Sequence, residues 1–222
     1  MIQLYQTSSY IERFTIYGER HSGTNFLEQC IKQTFGLDIT YFYGFKHWFG
    51  FTRPEVIRHH AKYPVLFIGI VRNPYQWLQA FYNVPHHVPS CNTVHFSTFL
   101  TNEWYSQDRN RQEIMQDRNF TTMPNPRRYK NIFELRKEKN KYLFEIMPII
   151  APNYVLFSYD SFIKNQKNYL NILQHRFFLN RVGEPPEVMD KPKYQISRPE
   201  IKELIDNNID WSAEEPLGFF KE

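Results

Sequence analysis

Short apolar runs of strand length recur along the chain and predict the strands of a sheet. Such runs lie at Phe14–Tyr17 and Tyr154–Tyr159, and the aromatic stretch Ile39–Phe45 is predicted to be extended as well. The clearest predicted strand, Pro64–Val71, contains the longest apolar run, is rich in β-branched residues and is apolar on both faces. Because only a strand covered on both sides needs that pattern, we expect this run to be a central strand of a parallel sheet.

Segments with helical periodicity separate the predicted strands. The helices are predicted at Thr24–Phe35, Tyr75–Asn83, Phe96–Tyr105, Asn131–Met147, Phe162–His175 and Pro199–Asn208. Pro74 suits the first turn of the helix that follows the longest apolar run. Because strands and helices alternate, we predict an α/β fold in which a central parallel β-sheet is flanked by helices. The tail, Asp210–Glu222, is predicted to be irregular.

The composition is that of a packed globular protein. The 222 residues include 20 Phe, 15 Tyr and 4 Trp against only 8 Gly, and this length suits one α/β domain covering residues 1–222. The net charge of +4 is lower than is typical of proteins that coat nucleic acids. We therefore expect no nucleic-acid partner, whereas small anionic ligands fit this charge balance.

The sequence predicts no membrane span and a cytoplasmic location. The longest unbroken apolar run, Val65–Val71, is far shorter than the ~20 residues that cross a bilayer. Residues Met1–Arg13 lack the basic segment and apolar segment of a secretory signal. Cys30 and Cys91 do not have the spacing of a disulfide framework, so both are predicted to be free thiols.

A glycine loop lies between the first predicted strand and the first predicted helix. The segment Gly18–Asn25 has the spacing G-x4-G, and a strand, a tight turn and a helix N-terminus together direct backbone N–H groups at one point, as in a phosphate site. A nucleotide triphosphatase would continue with Lys and then Ser or Thr, but Thr24 and Asn25 stand there, so the residues for ATP and Mg²⁺ are missing. The alternative is a turn that only joins strand to helix.

Two further polar segments follow predicted strands. Arg72 closes the longest run, where an open parallel sheet places ligand contacts, and its guanidinium suits a phosphate dianion; the alternative is an ion pair with a nearby carboxylate. Lys46 and His47 follow the aromatic segment. An imidazole, with an ordinary pKa of about 6.5, can take a proton from a hydroxyl at neutral pH. The alternative is that these are simply two polar residues at a strand end.

The loop Gly18–Phe26 resembles the 5′-phosphosulfate loop of sulfotransferases that use 3′-phosphoadenosine 5′-phosphosulfate (PAPS), and it is closest to the small bacterial-type members. The resemblance implies a P-loop-like sulfotransferase fold. Cytosolic members have Lys where His21 stands, in contact with the bridging oxygen of the donor, and we assign that role to Arg20 in preference to His21 because arginine is always charged. The implied donor-binding residues of the loop are Gly18, Arg20, His21, Ser22, Gly23, Thr24, Asn25 and Phe26.

The resemblance extends to the other polar segments. Lys46-His47 is similar to the Lys-x-His segment of the family, with the intervening residue absent, and implies His47 as the general base and Lys46 as a stabiliser of charge on the bridging oxygen. By the same resemblance Arg72 holds the 3′-phosphate and Tyr159 lies by the adenine. Ala80 stands where the family usually has a Ser that also contacts the 3′-phosphate.

The sequence therefore predicts a sulfotransferase that moves a sulfuryl group from PAPS to an acceptor hydroxyl without a metal. The alternatives are a P-loop kinase acting on a nucleotide or small molecule, and a non-catalytic nucleotide-binding relative. A metal site is considered at His86, His87, Cys91 and His95, but these residues lack the paired spacing of structural zinc sites, so we expect none. His87 is the reserve candidate for the base.

The segment Arg127–Lys141 carries seven basic residues against Glu134 and Glu138. Three interpretations stay open: a nucleic-acid surface, a solvated helix face, and a basic rim that attracts an anionic acceptor such as an acidic glycan. The expected partner is a hydroxyl-bearing acceptor, a carbohydrate or a small metabolite, with an anionic glycan among the candidates.

Overall fold

The computed structural model describes residues 3–5, 10–59, 65–188 and 195–222. Within these residues, five strands form one sheet: β1 (Gln3–Tyr5), β2 (Arg13–Tyr17), β3 (Asp38–Ile39), β4 (Val65–Val71) and β5 (Tyr154–Ser158). The α-helices are α1 (Thr24–Phe35), α2 (Pro54–His59), α3 (Pro74–Asn83), α4 (Phe96–Thr101), α5 (Ile132–Lys141), α6 (Met147–Ile150), α7 (Tyr159–Lys164), α8 (Gln166–Phe177), α9 (Pro199–Asn208) and α10 (Trp211–Glu214).

The sheet has the strand order β1-β5-β4-β2-β3. Strands β2 to β5 are parallel, and the edge strand β1, which was not predicted, pairs antiparallel with β5. The predicted α/β class is confirmed, with a four-stranded parallel sheet flanked by helices. As predicted, β4 is the middle strand, and it is buried at every position. Pro64, which we expected to begin this strand, lies outside the described residues.

One face of the sheet packs against α1, α7 and α8. Side chains alternate between the two faces of a strand, so Leu66, Ile68 and Ile70 of β4 point to the same side. They join a buried apolar cluster with Leu27 and Ile31 of α1 and with residues of the later helices and the other strands: Phe14, Ile16, Val155, Phe157, Phe162, Leu170, Leu173 and Phe177. This packing fixes the start of α1 at the end of β2.

The opposite face is covered in part by aromatic residues that follow β3. The rings of Tyr17 and Phe49 stack at 5.3 Å, and Tyr43 packs edge-on against Phe67 at 4.9 Å. The hydroxyl of Tyr17 donates to the carbonyl of Tyr43 at 2.6 Å. These contacts hold the chain between Tyr43 and Phe49 against the sheet, although that segment is not a strand.

The described residues divide into two compact units. The first comprises those within Met1–Asn73 and Leu143–Pro192, and it contains the whole sheet. The second comprises those within Pro74–Tyr142 and Lys193–Glu222. The second unit has its own apolar core. It combines helical residues with the bridged pair Trp104 and Tyr129; the helical members include Trp77, Phe81, Phe99, Leu135, Ile201 and Ile205. That residues 1–222 act as one domain stays a prediction.

Several predicted elements differ from the structure. Of the expected extended segment, only Ile39 lies in β3 and pairs with β2, because the chain then turns, with the N–H of Gly44 donating to the carbonyl of Tyr41. The helix predicted to reach Tyr105 ends at Thr101, since Trp104 and Tyr129 then exchange backbone hydrogen bonds.

The helix predicted over 131–147 is α5, followed by a π-helix at Tyr142–Ile146 and then α6. The helix predicted over 162–175 is instead α7 and α8, separated at Asn165, whose backbone leaves the helical region. The tail is not irregular throughout: α10 forms where the indole of Trp211 donates to the carbonyl of Asp206 at 3.0 Å. Within the described ranges, no helix combines the length and apolar character needed to cross a bilayer.

Candidate anion-binding site

The predicted donor-binding residues meet at one edge of the sheet. The glycine loop follows β2, Arg72 follows β4, and Tyr159 follows β5. These three strands are neighbours and run parallel, with Tyr17 opposite Gly69 and Val71 opposite Ser158. Their carboxyl ends therefore lie side by side, which is where open α/β sheets bind ligands.

The loop ends at the N-terminus of α1, where the N-cap residue is a glycine and has no side chain with which to cap the helix. Gly23 is the N-cap of α1 and has φ 92°, and the first helical turn holds no acidic residue. His21 also has a positive φ, of 64°, in the left-handed region where Asn, Asp and His are the most tolerated residues after Gly. The first N–H groups of a helix have no acceptor within the helix, so this end of α1 is suited to an anion.

Both glycines of the loop are required by close packing. A Cβ on Gly18 would lie 2.6 Å from Cγ2 of Ile70 and 2.7 Å from its carbonyl oxygen. A Cβ on Gly23 would lie 2.2 Å from Cδ2 of Tyr159. The spacing G-x4-G thus lets the loop approach both β4 and the residue that follows β5.

Arg72 links the glycine loop to Tyr159. Its Nη1 donates to the carbonyl of His21 at 3.0 Å, and its guanidinium carbon lies 4.8 Å from the centre of the Tyr159 ring. Burial raises the pKa of the Tyr159 hydroxyl, and the charge of Arg72 opposes that shift. Arg72 is half-buried, so the structure places a partly accessible cation next to the loop.

Lys46 and His47 are tied to the first glycine of the loop. The N–H of Gly18 donates to the carbonyl of Lys46 at 3.0 Å, and Nδ1 of His47 lies 2.7 Å from the carbonyl of Gly18. Because a carbonyl only accepts hydrogen bonds, Nδ1 carries the proton, and Nε2 is the basic nitrogen of the neutral ring. The ammonium of Lys46 donates to Oδ1 of Asn25 at 2.5 Å and lies 3.4 Å from Glu28.

Arg20 lies in the interior of its unit. Its side chain is 1% exposed and faces the carboxylate of Glu19 at 3.4 Å. The loop as it stands therefore does not present this cation to a ligand. Of the remaining loop residues, Ser22 and Thr24 are buried and Asn25 is exposed, while Phe26 is half-buried and packs edge-on against Phe162.

Sequence reasoning missed two residues beside the site. Glu28 pairs with both Lys46 and Lys32, and its spacing of four from Lys32 is a helical ion-pair signal visible in the sequence. Glu19 pairs with its neighbour Arg20, and no local pattern indicates that both would be buried.

The histidine pair considered for metal lies in the second unit. The rings of His86 and His87 are 4.0 Å apart, and Nδ1 of His87 lies 2.8 Å from the carbonyl of Gln107. The part of the chain that the structure describes contains no group of three or more His, Cys, Asp or Glu side chains that could hold a metal ion. Ala80 is buried in α3 of the same unit.

The basic segment Arg127–Lys141 is neither a basic rim nor a fully solvated face, because carboxylates neutralise most of its cations. Arg136 and Lys139 are buried, the first paired with Glu214 at 2.5 Å and the second with Asp117. The others pair nearer the surface: Arg127 with Glu134, Arg128 with Glu103 and Glu113, and Lys137 with Asp210. The segment therefore supplies little excess positive charge for an anionic partner.

Comparison of the chain with protein-family models, with curated proteins and with solved structures gave no match.

Proposed function

We propose that this protein is a sulfotransferase that moves a sulfuryl group from PAPS to an acceptor hydroxyl. One observation carries the proposal: a helix N-terminus with a glycine N-cap, a partly accessible arginine and a tyrosine meet at the carboxyl ends of three adjacent parallel strands. The resemblance of Gly18–Phe26 to the phosphosulfate loop adds the donor's identity.

The charges at the site fit a nucleotide that carries two separate anionic groups. Arg72 and the N-terminal end of the α1 dipole are positive, whereas the nearby carboxylate of Glu19 faces Arg20 inside the unit. In the proposed complex the loop N–H groups hold the 5′-phosphosulfate, Arg72 holds the 3′-phosphate, and Tyr159 lies by the adenine. Arg20 contributes by neutralising Glu19, so that the negative charge beneath the loop does not oppose the ligand.

His47 is proposed to move the proton and Lys46 to balance the charge. The acceptor oxygen forms a bond to the sulfur of the donor's sulfuryl group. At the same time the S–O bond to the 5′-phosphate breaks, and its electron pair stays on the phosphate oxygen. Nε2 of His47 takes the acceptor's hydroxyl proton, because Nδ1 is already engaged by the carbonyl of Gly18. Lys46 stabilises the negative charge that develops on the leaving oxygen.

A ligand-induced shift in melting temperature tests the donor class. The full chain is titrated with adenosine 3′,5′-bisphosphate, ADP, and ADP with Mg²⁺, since a ligand at 100 times its Kd stabilises the native state by about 2.7 kcal/mol. We expect a shift with the bisphosphate only. It should be lost in Arg72→Ala, reduced in Arg72→Lys, and kept in Arg176→Ala, which removes an exposed guanidinium of α8.

Each outcome bears on the proposal. A larger shift with ADP and Mg²⁺ would favour a P-loop kinase. The absence of a shift with all three ligands would favour a relative that does not bind nucleotides. When the bisphosphate binds, its release from PAPS in the presence of a hydroxyl acceptor, followed by chromatography, tests the transfer itself.

A further inference from the structure

A polar pocket adjoins the candidate site in the same unit. Its volume is about 590 Å³, within the range of about 300–1,000 Å³ that small-molecule pockets occupy. Its lining residues include Asn25, Glu28, Gln29, Lys32, Tyr41 and Lys46. Residues 25, 28, 29 and 32 share one face of α1 by helical spacing, and Asn25 and Lys46 also belong to the candidate site.

The lining suits a ligand rich in hydroxyl groups. The side-chain amides of Asn25 and Gln29 can each donate and accept hydrogen bonds, as a hydroxyl can. Tyr41 is the aromatic residue among them, and 45% of it is exposed. Amides beside an accessible aromatic ring match the polar edges and the apolar C–H faces of a sugar ring. A wholly apolar acceptor would displace water from these amides without replacing its hydrogen bonds, which is unfavourable.

The pocket also has an excess of positive charge. Glu28 lies between two ammonium groups, 2.9 Å from Lys32 and 3.4 Å from Lys46, so two cations face one carboxylate. The hydrogen bond that Lys32 donates to Glu28 raises the pKa of Lys32, which keeps this ammonium charged. The side chain of Lys32 is 44% exposed and is therefore accessible to a ligand.

We infer that this pocket binds an acidic saccharide, which is the acceptor of the sulfuryl group. That the saccharide is the acceptor rests on the proposed function. That the pocket binds a saccharide rests only on the residues that line the pocket. Lys46 connects the two, because its ammonium lines the pocket and its chain neighbour is His47.

Calorimetric titration of the full chain with two oligosaccharides tests the inference. The probes are a hyaluronan tetrasaccharide, which carries uronates, and the neutral cellotetraose. At low salt we expect both to bind, the acidic one more tightly by roughly two- to fivefold. Tyr41→Ala should weaken both by roughly three- to tenfold, whereas Tyr41→Phe, which keeps the ring, should retain most of the affinity.

Charge variants test whether the positive charge of the pocket favours an acidic saccharide over a neutral one. Lys32→Gln should weaken binding of the hyaluronan fragment to the level of cellotetraose and leave cellotetraose unchanged. Lys167→Gln removes an exposed cation of α8 away from this lining and should change neither affinity. The inference is overturned if neither probe binds, if the Tyr41→Ala variant binds both with unchanged affinity, or if Lys32→Gln leaves the affinity for the hyaluronan fragment unchanged or weakens both probes equally.

The bisphosphate titration separates the two proposals. Saccharide binding without bisphosphate binding would support the pocket and refute the transferase. Bisphosphate binding without saccharide binding would leave the transferase standing and refute this assignment of its acceptor.

Discussion

Substitution of Gly23 by Ala tests whether the loop is shaped by its packing against Tyr159. The substitution has two separate costs. The backbone at Gly23 has φ 92°, where an L-residue is strained by about 1–2 kcal/mol. The new Cβ would also lie 2.2 Å from a ring carbon of Tyr159, so either the ring or the loop must move.

The displacement should cost as much as overpacking does elsewhere, about 1–3 kcal/mol. We therefore expect Gly23→Ala to lower the free energy of unfolding by about 2–5 kcal/mol. Gly44→Ala is the matched control in the same unit, because Gly44 has φ 107° while its nearest contact would be an ordinary 3.5 Å, to Oγ1 of Thr52. It should cost only the backbone strain, about 1–2 kcal/mol.

Urea denaturation of four proteins, with Gly44→Ala as the control, measures the coupling between position 23 and the Tyr159 ring. These are the wild type, Gly23→Ala, Tyr159→Ala and the double variant, compared at constant m-value. When the ring is absent, the cost of Gly23→Ala should fall to that of Gly44→Ala. The reasoning is refuted if Gly23→Ala costs the same with and without the Tyr159 ring, or no more than Gly44→Ala with the ring present.

Three further predictions concern single side chains. His47→Asn can keep a donor to the loop carbonyl while removing the basic nitrogen, so sulfuryl transfer should fall by about 10²- to 10⁴-fold with bisphosphate affinity retained; equal rates would exclude this base. Burial raises the pKa of Cys30 from 9.0 to about 11, so this thiol loses its proton at lower pH in the unfolded state than in the folded state, and the free energy of unfolding should fall as pH rises from 9.0 towards 11. Cys30→Ala should flatten this part of the profile of stability against pH. At pH 8 a thiol reagent should modify the exposed Cys91 alone, because Cys30 is buried. Arg136→Met should destabilise the protein by about 3–5 kcal/mol, because it leaves the buried Glu214 carboxylate uncompensated, and the further change Glu214→Leu should recover much of that loss in urea denaturation.

Elements whose signals are local could be predicted from the sequence. The helix Thr24–Phe35 is bounded by Gly23 and Gly36, both in the left-handed region, and its predicted limits match the structure. The central strand could be predicted from its continuous run of apolar residues. By contrast, Ile39–Phe45 has the aromatic content of a strand, yet its pairing with β2 stops at Ile39 because the chain turns at Gly44. Aromatic content alone does not distinguish a strand from a turn packed on a sheet.

The grouping of site residues could also be predicted, but their electrostatic environment could not. The loop, Arg72 and Tyr159 follow neighbouring parallel strands, so the topology alone brings them together. The pairing of Arg136 depends on Glu214, 78 positions away in the chain, and nothing local indicates it. The run of basic residues therefore left a nucleic-acid surface, a solvated face and a basic rim all open, whereas the fold buries Arg136 and Lys139 in ion pairs.

The ion pairs buried in the second unit constrain how this sequence can diverge. A single change at Arg136 or Glu214 leaves one buried charge without its partner, and the same holds for Asp117 and Lys139. Selection would remove most such intermediates, so the two members of each pair should be replaced together. In diverged descendants of this gene, positions 136 and 214 should therefore co-vary, as should positions 117 and 139. An alignment of such sequences would then identify both buried ion pairs without a structure.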